Sequence, residues 1–521
     1  AVNIVVDQTM ITDPQTTAKI AAPILGMSPV ELQNLLTGTK RYQIIIKQVR
    51  PAVWNNLGYA LDSYNKAVMK ERGGLAKRIV GFFSERSYVR DYPTGRLSAS
   101  LVGVINDAGI GASGLESSME TTLAGKNGRY DYANGAGTII PGSQQFITEA
   151  KPGTGVQLTI DRDVQWVAQN AISSAVASTH AASGTVIVMD PKTGEILAQA
   201  SAPNFDPSQK KSITLASLRN PAVQDVYEPG STGKIITVAS AIEEGKTTPE
   251  SVWTVPYSFN VGAAKFHDAE KHKTLRLTTA GVLAQSSNVG AIQIGSLLTH
   301  DSLYSYLRKF GIGESTGSHL PGESAGLLPP LDTWSATTAP TIAFGQGYSV
   351  TALQATSVFA TIANDGVRVT PNVIAGLIDN SGTFIPSKPK ASQRVVSSAT
   401  ARQMRLIMES VVSEQGTAPA AAIPGYRIAG KTGTAQRADG TCHCYKGYTS
   451  SFIGFAPADA PKYVVSVVIQ NPVGQHFGGV IAAPVFKTVM SFVLQSKHIA
   501  PTNTNKVAYA LNEAALTKPK A

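Results

Sequence analysis

The sequence predicts an α/β protein of two folded parts: an N-terminal α+β part and a C-terminal part built on an antiparallel sheet flanked by helices. The chain has 521 residues, more than one typical domain holds, and 43% of them are hydrophobic. A linker-like cluster at residues 151–155 separates the two parts. We therefore predict domains at 1–152 and 153–497, followed by a polar, weakly ordered tail at 498–521.

In the N-terminal part, a helical stretch at residues 28–36 and a lysine-rich segment at residues 53–70 alternate with short β-like runs. Residues 40–96 carry most of the net charge of +10. Such a basic surface suits anionic lipid headgroups or wall polymers, or it simply aids solubility. Because no nucleic-acid-binding motif accompanies the charge, we expect no nucleic-acid partner.

In the C-terminal part, five apolar runs predict the strands of the sheet, near Thr185, Glu195, Ile428, Phe452 and Tyr463. The first two runs are separated by residues 190–194, whose Asp, Pro and Gly predict a hairpin turn.

Three short motifs follow one another in this part and outline one site: Ser231-Thr232-Gly233-Lys234, Ser286-Ser287-Asn288 and Lys431-Thr432-Gly433-Thr434. Chance matches also occur at residues 208–211 and 387–390 (S-x-x-K), 258–260 (S-x-N) and 192–194 (K-T-G). Their context differs, because Pro389 opposes a helix and Ser208 lies in a polar loop. Only the ordered set of three is expected to form a site.

Ser231 follows Pro229-Gly230 and precedes an apolar run at residues 235–241, which predicts a buried helix beginning there. Residues three apart on a helix are neighbours, so the Lys234 ammonium can reach the Ser231 hydroxyl. The alternative is that Ser231 is only an N-cap, but the two companion motifs favour a nucleophile. The third motif reads as a strand in which Gly433 leaves room for close backbone approach.

These residue types suit acyl transfer. A serine needs a base, and no histidine stands in the three motifs, so Lys234 is the candidate base. Keeping a lysine neutral near pH 7.5 costs about 4 kcal/mol, so the site must lower its pKa, for example by burial or through Lys431 as a second cation. Ser286 can pass a proton between the lysines and a leaving nitrogen.

The other motif atoms suit substrate binding. The backbone N–H groups of Ser231 and Thr434 can bind the oxyanion of a tetrahedral intermediate. Lys431 and the threonine hydroxyls suit a substrate carboxylate, and Asn288 suits a peptide carbonyl. We predict no metal or cofactor, and two groups of site residues: Ser231, Lys234, Ser286, Asn288 and Lys431 as catalytic, and Thr432, Gly433 and Thr434 as substrate- or oxyanion-binding.

Further sequence matches occur in order along nearly the whole chain: Arg86, Tyr92-Pro93, Gly114-Leu115-Glu116, Leu123-Ala124-Gly125, Leu158-Thr159-Ile160-Asp161, Asp190-Pro191-Lys192-Thr193-Gly194, Phe205-Asp206-Pro207, Tyr227-Glu228-Pro229-Gly230, Pro321-Gly322-Glu323, Phe344-Gly345-Gln346-Gly347, Gly416-Thr417-Ala418, Phe477-Gly478-Gly479 and Pro484-Val485-Phe486. With the three motifs, they make the chain resemble the class B penicillin-binding proteins, especially the septal peptidoglycan D,D-transpeptidases of cell division.

The resemblance implies a reaction, a fold and partners. Ser231 would attack the penultimate D-Ala carbonyl of a peptidoglycan stem peptide, release D-Ala and pass the acyl group to an amine of a neighbouring stem peptide. β-Lactam antibiotics would acylate the same serine. The C-terminal domain would be β-lactamase-like, the N-terminal part an elongated, dimerisation-like pedestal, and the partners a membrane glycosyltransferase and division-complex proteins.

The chain has no run of 18 or more apolar residues and no signal peptide. Class B proteins are held by an N-terminal membrane helix. The resemblance therefore implies the ectodomain of a single-pass protein at the extracytoplasmic face of the bacterial cytoplasmic membrane, with its anchor outside this sequence.

Other functions remain open at this stage. A D,D-carboxypeptidase or a slow β-lactamase would use the same site but deliver the acyl group to water, whereas a non-catalytic penicillin receptor or scaffold needs none of these residues. Glu323 is spaced from the second motif like the water-activating glutamate of class A β-lactamases, but Leu327 stands where those enzymes have asparagine. We expect Glu323 to be a structural loop residue.

Cys442 and Cys444 flank His443 after the third motif. The spacing leaves open a loop disulfide, two free thiols or a Cys-His-Cys metal site. We expect Tyr445 and Tyr448 to pack locally.

Overall fold

The computed structural model describes residues 1–135, 138–389, 391–439, 442, 444–502, 504 and 508–516. They form two compact units, Ala1–Pro93 and Thr94–Ala521. This division lies earlier than the boundary expected between residues 152 and 153. The physical reason is that residues beyond Pro93 already pack with the second unit, where Leu101 and Leu115 are buried in its largest core. A functional domain boundary at residues 151–155 stays a prediction.

The first unit is a three-stranded antiparallel sheet with helices, in the strand order β2-β1-β3. The helix predicted at 28–36 is present as the second helix, and most of the lysine-rich segment at 53–70 lies in the third. Each of these two helices begins with a proline that presets its first φ angle. The elements are β1 (Val2–Val6), α1 (Pro14–Leu25), α2 (Pro29–Leu36), β2 (Gln43–Val49), α3 (Pro51–Val68) and β3 (Phe82–Arg86).

The second unit contains the remaining elements, numbered onward along the chain. Its first part holds α4 (Ala99–Val102), α5 (Gly114–Ser118), α6 (Glu120–Leu123), β4 (Arg129–Asp131), β5 (Asn134–Gly135), β6 (Thr138–Ile139), β7 (Gln145–Thr148), β8 (Gly155–Leu158), α7 (Arg162–Ser178), β9 (Ser183–Met189), β10 (Ile196–Ala202), α8 (Pro221–Gln224), β11 (Val226–Tyr227) and α9 (Lys234–Glu243). Its middle part holds β12 (Val252–Val255), β13 (Ser258–Val261), β14 (Ala264–His267), β15 (Leu275–Thr278), α10 (Thr279–Ala284), α11 (Asn288–Gly295), α12 (His300–Lys309), α13 (Thr338–Ala343), β16 (Val350–Thr351) and α14 (Ala352–Ala363). Its last part holds β17 (Val367–Val369), β18 (Ile374–Ile378), β19 (Phe384–Pro386), β20 (Ser392–Arg394), α15 (Ser398–Glu409), β21 (Ala429–Asp439), β22 (Cys444–Ala456), β23 (Tyr463–Gln470), α16 (Gly478–Ile481), α17 (Ala483–Ser496) and α18 (Glu513–Leu516).

A five-stranded antiparallel sheet, ordered β10-β9-β23-β22-β21, forms the centre of the second unit. Its strands lie where the apolar runs predicted them, and residues 190–194 form the turn between β9 and β10. Alternate residues of β9 enter different cores: Val186 and Val188 one core, Ile187 and Met189 the other. Both faces of the sheet are therefore covered, which confirms the predicted sheet flanked by helices.

The sheet order leaves β21 at one edge. One side of this strand pairs with β22, and its other side approaches the turn that begins α9. The strand that carries the third motif is therefore next to the helix that carries the first.

Residues 508–516 pack more closely than their predicted weak order implies. Leu511 is buried in the largest core, and its carbonyl accepts a hydrogen bond of 3.2 Å from the Thr278 N–H. Arg276 binds the Glu513 carboxylate through two nitrogen atoms, at 2.9 and 2.8 Å. Residues 508–516 are therefore ordered by these contacts, although we predicted weak order for them. The buried Leu511 side chain and a few main-chain hydrogen bonds are sufficient to dock a short segment.

We predict that Leu511→Ala lowers the free energy of unfolding by about 2 kcal/mol, since it removes a buried side chain and leaves a cavity. The midpoint of thermal unfolding measures the effect. Leu516→Ala is the matched control, because Leu516 lies on α18 and is 37% exposed. Equal midpoints for the two variants would contradict a docked segment.

Candidate active site

Ser231 lies in a 3-10 turn, Gly230–Thr232, that leads into the buried helix α9. The Gly230 N–H donates to the Gly345 carbonyl at 2.8 Å. A Cβ on Gly345 would lie 1.8 Å from the Gly230 carbonyl oxygen, so this contact requires glycine. The position of Ser231 at the start of a buried helix agrees with the sequence prediction.

Lys234 is completely buried, and its Nζ lies among oxygen atoms of three residues. It is 2.8 Å from Ser231 Oγ, 2.6 Å from the Ser286 carbonyl oxygen and 2.7 Å from Asn288 Oδ1. The last two atoms can only accept hydrogen bonds. In the neutral amine, these two acceptors take the two N–H bonds, which leaves the lone pair available for the Ser231 hydroxyl.

Burial lowers the pKa of Lys234 to about 7, although the Asp268 carboxylate opposes the shift. The neutral amine is therefore abundant near physiological pH. This effect meets the requirement that a lysine base places on such a site.

Lys431 approaches from β21 and is also completely buried. Its Nζ is 2.8 Å from Ser286 Oγ, and that hydroxyl is 3.3 Å from Lys234 Nζ. Burial, together with the charge of Lys234, holds the pKa of Lys431 well below its usual range. The Ser286 hydroxyl therefore bridges two lysines that both release protons readily.

Ser286 connects α10 to α11 with a φ of 61°, in the left-handed region that serine rarely adopts. This conformation costs about 1–3 kcal/mol and persists only where neighbouring contacts fix it. It directs the Ser286 carbonyl at Lys234 and the hydroxyl at Lys431.

Gly433 allows the edge strand β21 to approach the turn that contains Ser231. A Cβ at this position would lie 2.3 Å from Ser451 Oγ and 3.0 Å from the Pro229 carbonyl oxygen. The sequence predicts that Gly433 leaves space for close backbone approach. The turn that precedes Ser231 occupies part of that space.

A cavity of about 610 Å³ opens over the three motifs. Its size suits a peptide-sized ligand. Thr434 accepts a hydrogen bond from the Gly478 N–H at 3.2 Å, and the Thr432 and Thr417 hydroxyls are 2.8 Å apart. The cavity wall includes Ser231, Ser286, Asn288, Thr432, Thr434, Phe477 and Val480.

The chance motif matches do not line this cavity. The Ser208 hydroxyl donates to Asp206 at 2.6 Å, and Lys192 is exposed in the β9–β10 turn. The segment at 258–260 lies on β13, and Lys390 falls outside the described residues. Glu323 accepts hydrogen bonds from Ser315 at 2.7 Å and from the Thr316 N–H at 2.9 Å, which fits a structural loop residue.

Cys442 and Cys444 form a disulfide, the first of the three open alternatives. Among the described residues, no group of three or more His, Cys, Asp or Glu side chains could hold a metal ion; His443 lies outside them. Tyr448 stacks on His476 with ring centroids 3.9 Å apart, and Tyr445 is 57% exposed.

Sequence reasoning missed two residues of the hairpin β13–β14 and the loop that follows it. The His267 carbonyl accepts from Asn288 Nδ2 at 3.1 Å, which turns Asn288 Oδ1 toward Lys234. Asp268 binds the same loop through its carboxylate. No motif signals either residue, because one acts through its backbone carbonyl and the other mainly through bonds to backbone N–H groups and a hydroxyl.

Comparison with known proteins gives a consistent result. The family described as the penicillin-binding protein transpeptidase domain matches residues 184–491. Penicillin-binding protein PbpB of Mycolicibacterium smegmatis is 42% identical over 80% of this chain and 66% of its own length. Peptidoglycan D,D-transpeptidase FtsI of Escherichia coli K12 is 34% identical over 81% of this chain and 70% of its own length. The match to PbpB of Mycobacterium tuberculosis covers 63% of that protein. This chain therefore spans about two thirds of the length of the two PbpB relatives.

Solved structures are also similar. Penicillin-binding protein 3 of M. tuberculosis complexed with aztreonam has a TM-score of 0.74 at 37% identity, covering 83% of this chain and 94% of that one. A peptidoglycan synthetase from Bifidobacterium adolescentis has a TM-score of 0.76 at 31% identity, covering 98% and 94%. With the three motifs assembled around one cavity, these matches show that the chain belongs to the class B penicillin-binding proteins and carries their transpeptidase domain.

Proposed function

We propose that this protein is a serine D,D-transpeptidase that cross-links peptidoglycan stem peptides through an acyl-enzyme on Ser231. One observation carries the proposal: Ser231 Oγ lies 2.8 Å from a buried lysine whose other partners leave its lone pair for that hydroxyl. A receptor or scaffold would not need this arrangement.

In the acylation step, Lys234 takes the Ser231 proton as Oγ attacks the penultimate D-Ala carbonyl. The oxyanion binds to the backbone N–H groups of Ser231 and Thr434. When the peptide bond breaks, the leaving D-Ala nitrogen takes a proton delivered through the Ser286 hydroxyl, which contacts both lysines. The acyl-enzyme and free D-Ala result.

In the transfer step, the amine of a second stem peptide attacks the ester carbonyl. The attacking amine gives its proton to Lys234. Ser231 Oγ then leaves as the new peptide bond forms, and Oγ takes a proton back from Lys234. The hydroxyls of Thr432 and Thr434 bind the substrate carboxylate at the cavity wall, and Asn288 binds a peptide carbonyl. Lys431 is completely buried and is not part of that wall, so it acts through the Ser286 hydroxyl.

β-Lactams acylate Ser231 by the same attack on a strained amide. The structural similarity to a penicillin-binding protein 3 complexed with aztreonam supports this part of the proposal. The opened drug keeps its leaving nitrogen attached, so the adduct blocks the site.

The proposed setting is the extracytoplasmic face of the cytoplasmic membrane during septal wall synthesis, with a membrane glycosyltransferase and division proteins as partners. The name of the FtsI relative and the basic charge of the chain support this setting. In the part of the chain that the structure describes, no helix has the length and apolar character needed to cross a bilayer.

A β-lactamase of the class A type would need a carboxylate that activates water, whereas a D,D-carboxypeptidase would use the same site residues without one. Glu323, the candidate from sequence spacing, binds Ser315 and Thr316 and does not line the cavity. This observation argues against a β-lactamase that hydrolyses its acyl-enzyme through Glu323.

We predict that Ser231→Ala abolishes covalent labelling by benzylpenicillin and that Lys234→Ala reduces it at least a thousandfold, because the nucleophile or its base is lost. Intact mass followed over hours, with peptide mapping, measures the adduct. Ser208→Ala, in a chance S-x-x-K match, is the matched control and should label like the parent chain. Full labelling of Ser231→Ala would end the proposed mechanism, and rapid release of the drug would favour a β-lactamase.

We also predict that the rate constant of acylation rises about tenfold per pH unit below pH 7 and levels off above it. The sign follows because the reactive form is the neutral amine, and the pKa of Lys234 is lowered to about 7. Stopped-flow measurements with a chromogenic cephalosporin provide the profile. A rate that keeps rising toward pH 10 would mean that Lys234 retains the ordinary pKa of a lysine.

A further inference from the structure

Asp268 follows β14 and is one of the few buried carboxylates of the second unit, with 6% of its surface exposed. Its Oδ1 accepts from the Asn288 N–H at 2.5 Å and the Val289 N–H at 2.9 Å. Its Oδ2 accepts from the Ser287 hydroxyl at 2.8 Å and lies 2.9 Å from His272 Nε2. Each carboxylate oxygen therefore has two hydrogen-bond partners. Three of the four partners belong to the loop after Ser286 and the start of α11.

These bonds act directly beside the strained residue of the site. Ser286 keeps its left-handed conformation only if the residues after it are fixed, and Asp268 binds three consecutive ones. The negative charge also lies at the N-terminus of α11, where backbone N–H groups lack helical partners. The carboxylate thereby holds Asn288 and the Ser286 carbonyl on Lys234 Nζ.

The His272 ring faces an acceptor at each nitrogen. Nδ1 is 2.7 Å from the Lys273 carbonyl oxygen, and Nε2 is 2.9 Å from Asp268 Oδ2. Only the doubly protonated imidazolium can donate to both. Burial opposes that charge, but the bonds to Lys273 and Asp268 prevail and raise the pKa of His272.

We propose that Asp268 and His272 form a positioning pair for the Ser231 reaction. Asp268 holds the Ser286 loop on Lys234, and the His272 imidazolium offsets the Asp268 charge that would otherwise retain a proton on Lys234. The proposal rests on the acyl-transfer function described above. Neither residue touches the reacting atoms.

Several other titratable groups surround the pair. From the turn before β13, the Tyr257 ring lies 6.0 Å edge-on from the His272 ring and 5.6 Å from the His267 ring at the end of β14. Glu270 and Lys271 line the same cavity wall from the loop itself. Lys234 on α9 and Lys431 on β21 are further titratable groups nearby, and both contact the Ser286 hydroxyl.

The two members of the pair have opposite electrostatic effects on the base. Removing the negative charge of Asp268 lowers the pKa of Lys234, because its attraction for the ammonium is lost. Removing the positive charge of His272 raises it, because Asp268 is then uncompensated. A purely structural role would not give shifts of opposite sign.

The test is the pH profile of acylation by a chromogenic cephalosporin, from pH 5.5 to 9.5, in the full chain. We expect Asp268→Asn to lower the plateau rate by about 10- to 100-fold and to move the midpoint down by about half a pH unit or more. We expect His272→Gln to keep most of the plateau rate and to move the midpoint up.

His272→Lys restores a positive charge and should return the midpoint toward that of the parent chain. The matched controls are His300→Gln and Asp301→Asn, both exposed on α12, and neither should change the profile. Thermal unfolding midpoints report whether each variant folds. If Asp268→Asn does not fold, the two His272 variants still test the charge.

Two outcomes would overturn the proposal. One is a folded His272→Gln variant whose pH-profile midpoint is unchanged, and the other is a shift of the midpoint in the same direction for Asp268→Asn and His272→Gln. Failure of the proposed function looks different, since the parent chain itself would then form no adduct on Ser231.

Discussion

The burial of Lys234 Nζ among Ser231 Oγ, the Ser286 carbonyl and Asn288 Oδ1 is the interaction on which the rest of the site depends. A buried ammonium is costly, so the site favours the neutral amine. Two acceptors orient its N–H bonds, and the lone pair is left for the serine. In the proposed mechanism, this desolvated nitrogen with its fixed partners is the base, so no histidine is needed in that role.

The fold supplies these partners from three separate places. Helix α9 enters the unit's largest core and carries Lys234, the α10–α11 loop carries Ser286, and the edge strand β21 carries Lys431. Close backbone contacts at Gly345 and Gly433 bring these elements together, since a Cβ at either position would overlap a neighbouring atom. The hairpin β13–β14 then fixes the loop through His267 and Asp268.

The sequence was sufficient to predict the central strands, the buried helix at Ser231 and the set of motifs, because each depends on local periodicity or short spacing. The boundary near Pro93 was not predictable, since it depends on where Leu101 and Leu115 pack. The docking of residues 508–516 likewise depends on one leucine, Leu511.

Asp268 was missed for a related reason. A carboxylate that acts through hydrogen bonds to backbone N–H groups requires no partner residue type, so the chain shows no pattern for it. Its significance is evident only once the hairpin is placed against α11. Similar positioning residues are generally invisible to motif reasoning, whereas nucleophile and base are constrained to a few residue types.

The central claim is the protonation state of Lys234, and neutron diffraction from a deuterated crystal at about pH 8.5 tests it most directly. With a pKa of about 7, Nζ should carry two deuterons, directed at the Ser286 carbonyl and Asn288 Oδ1. The Ser231 deuteron should lie on the line to Nζ. Three deuterons on Nζ, with the Ser231 hydroxyl directed elsewhere, would contradict the account.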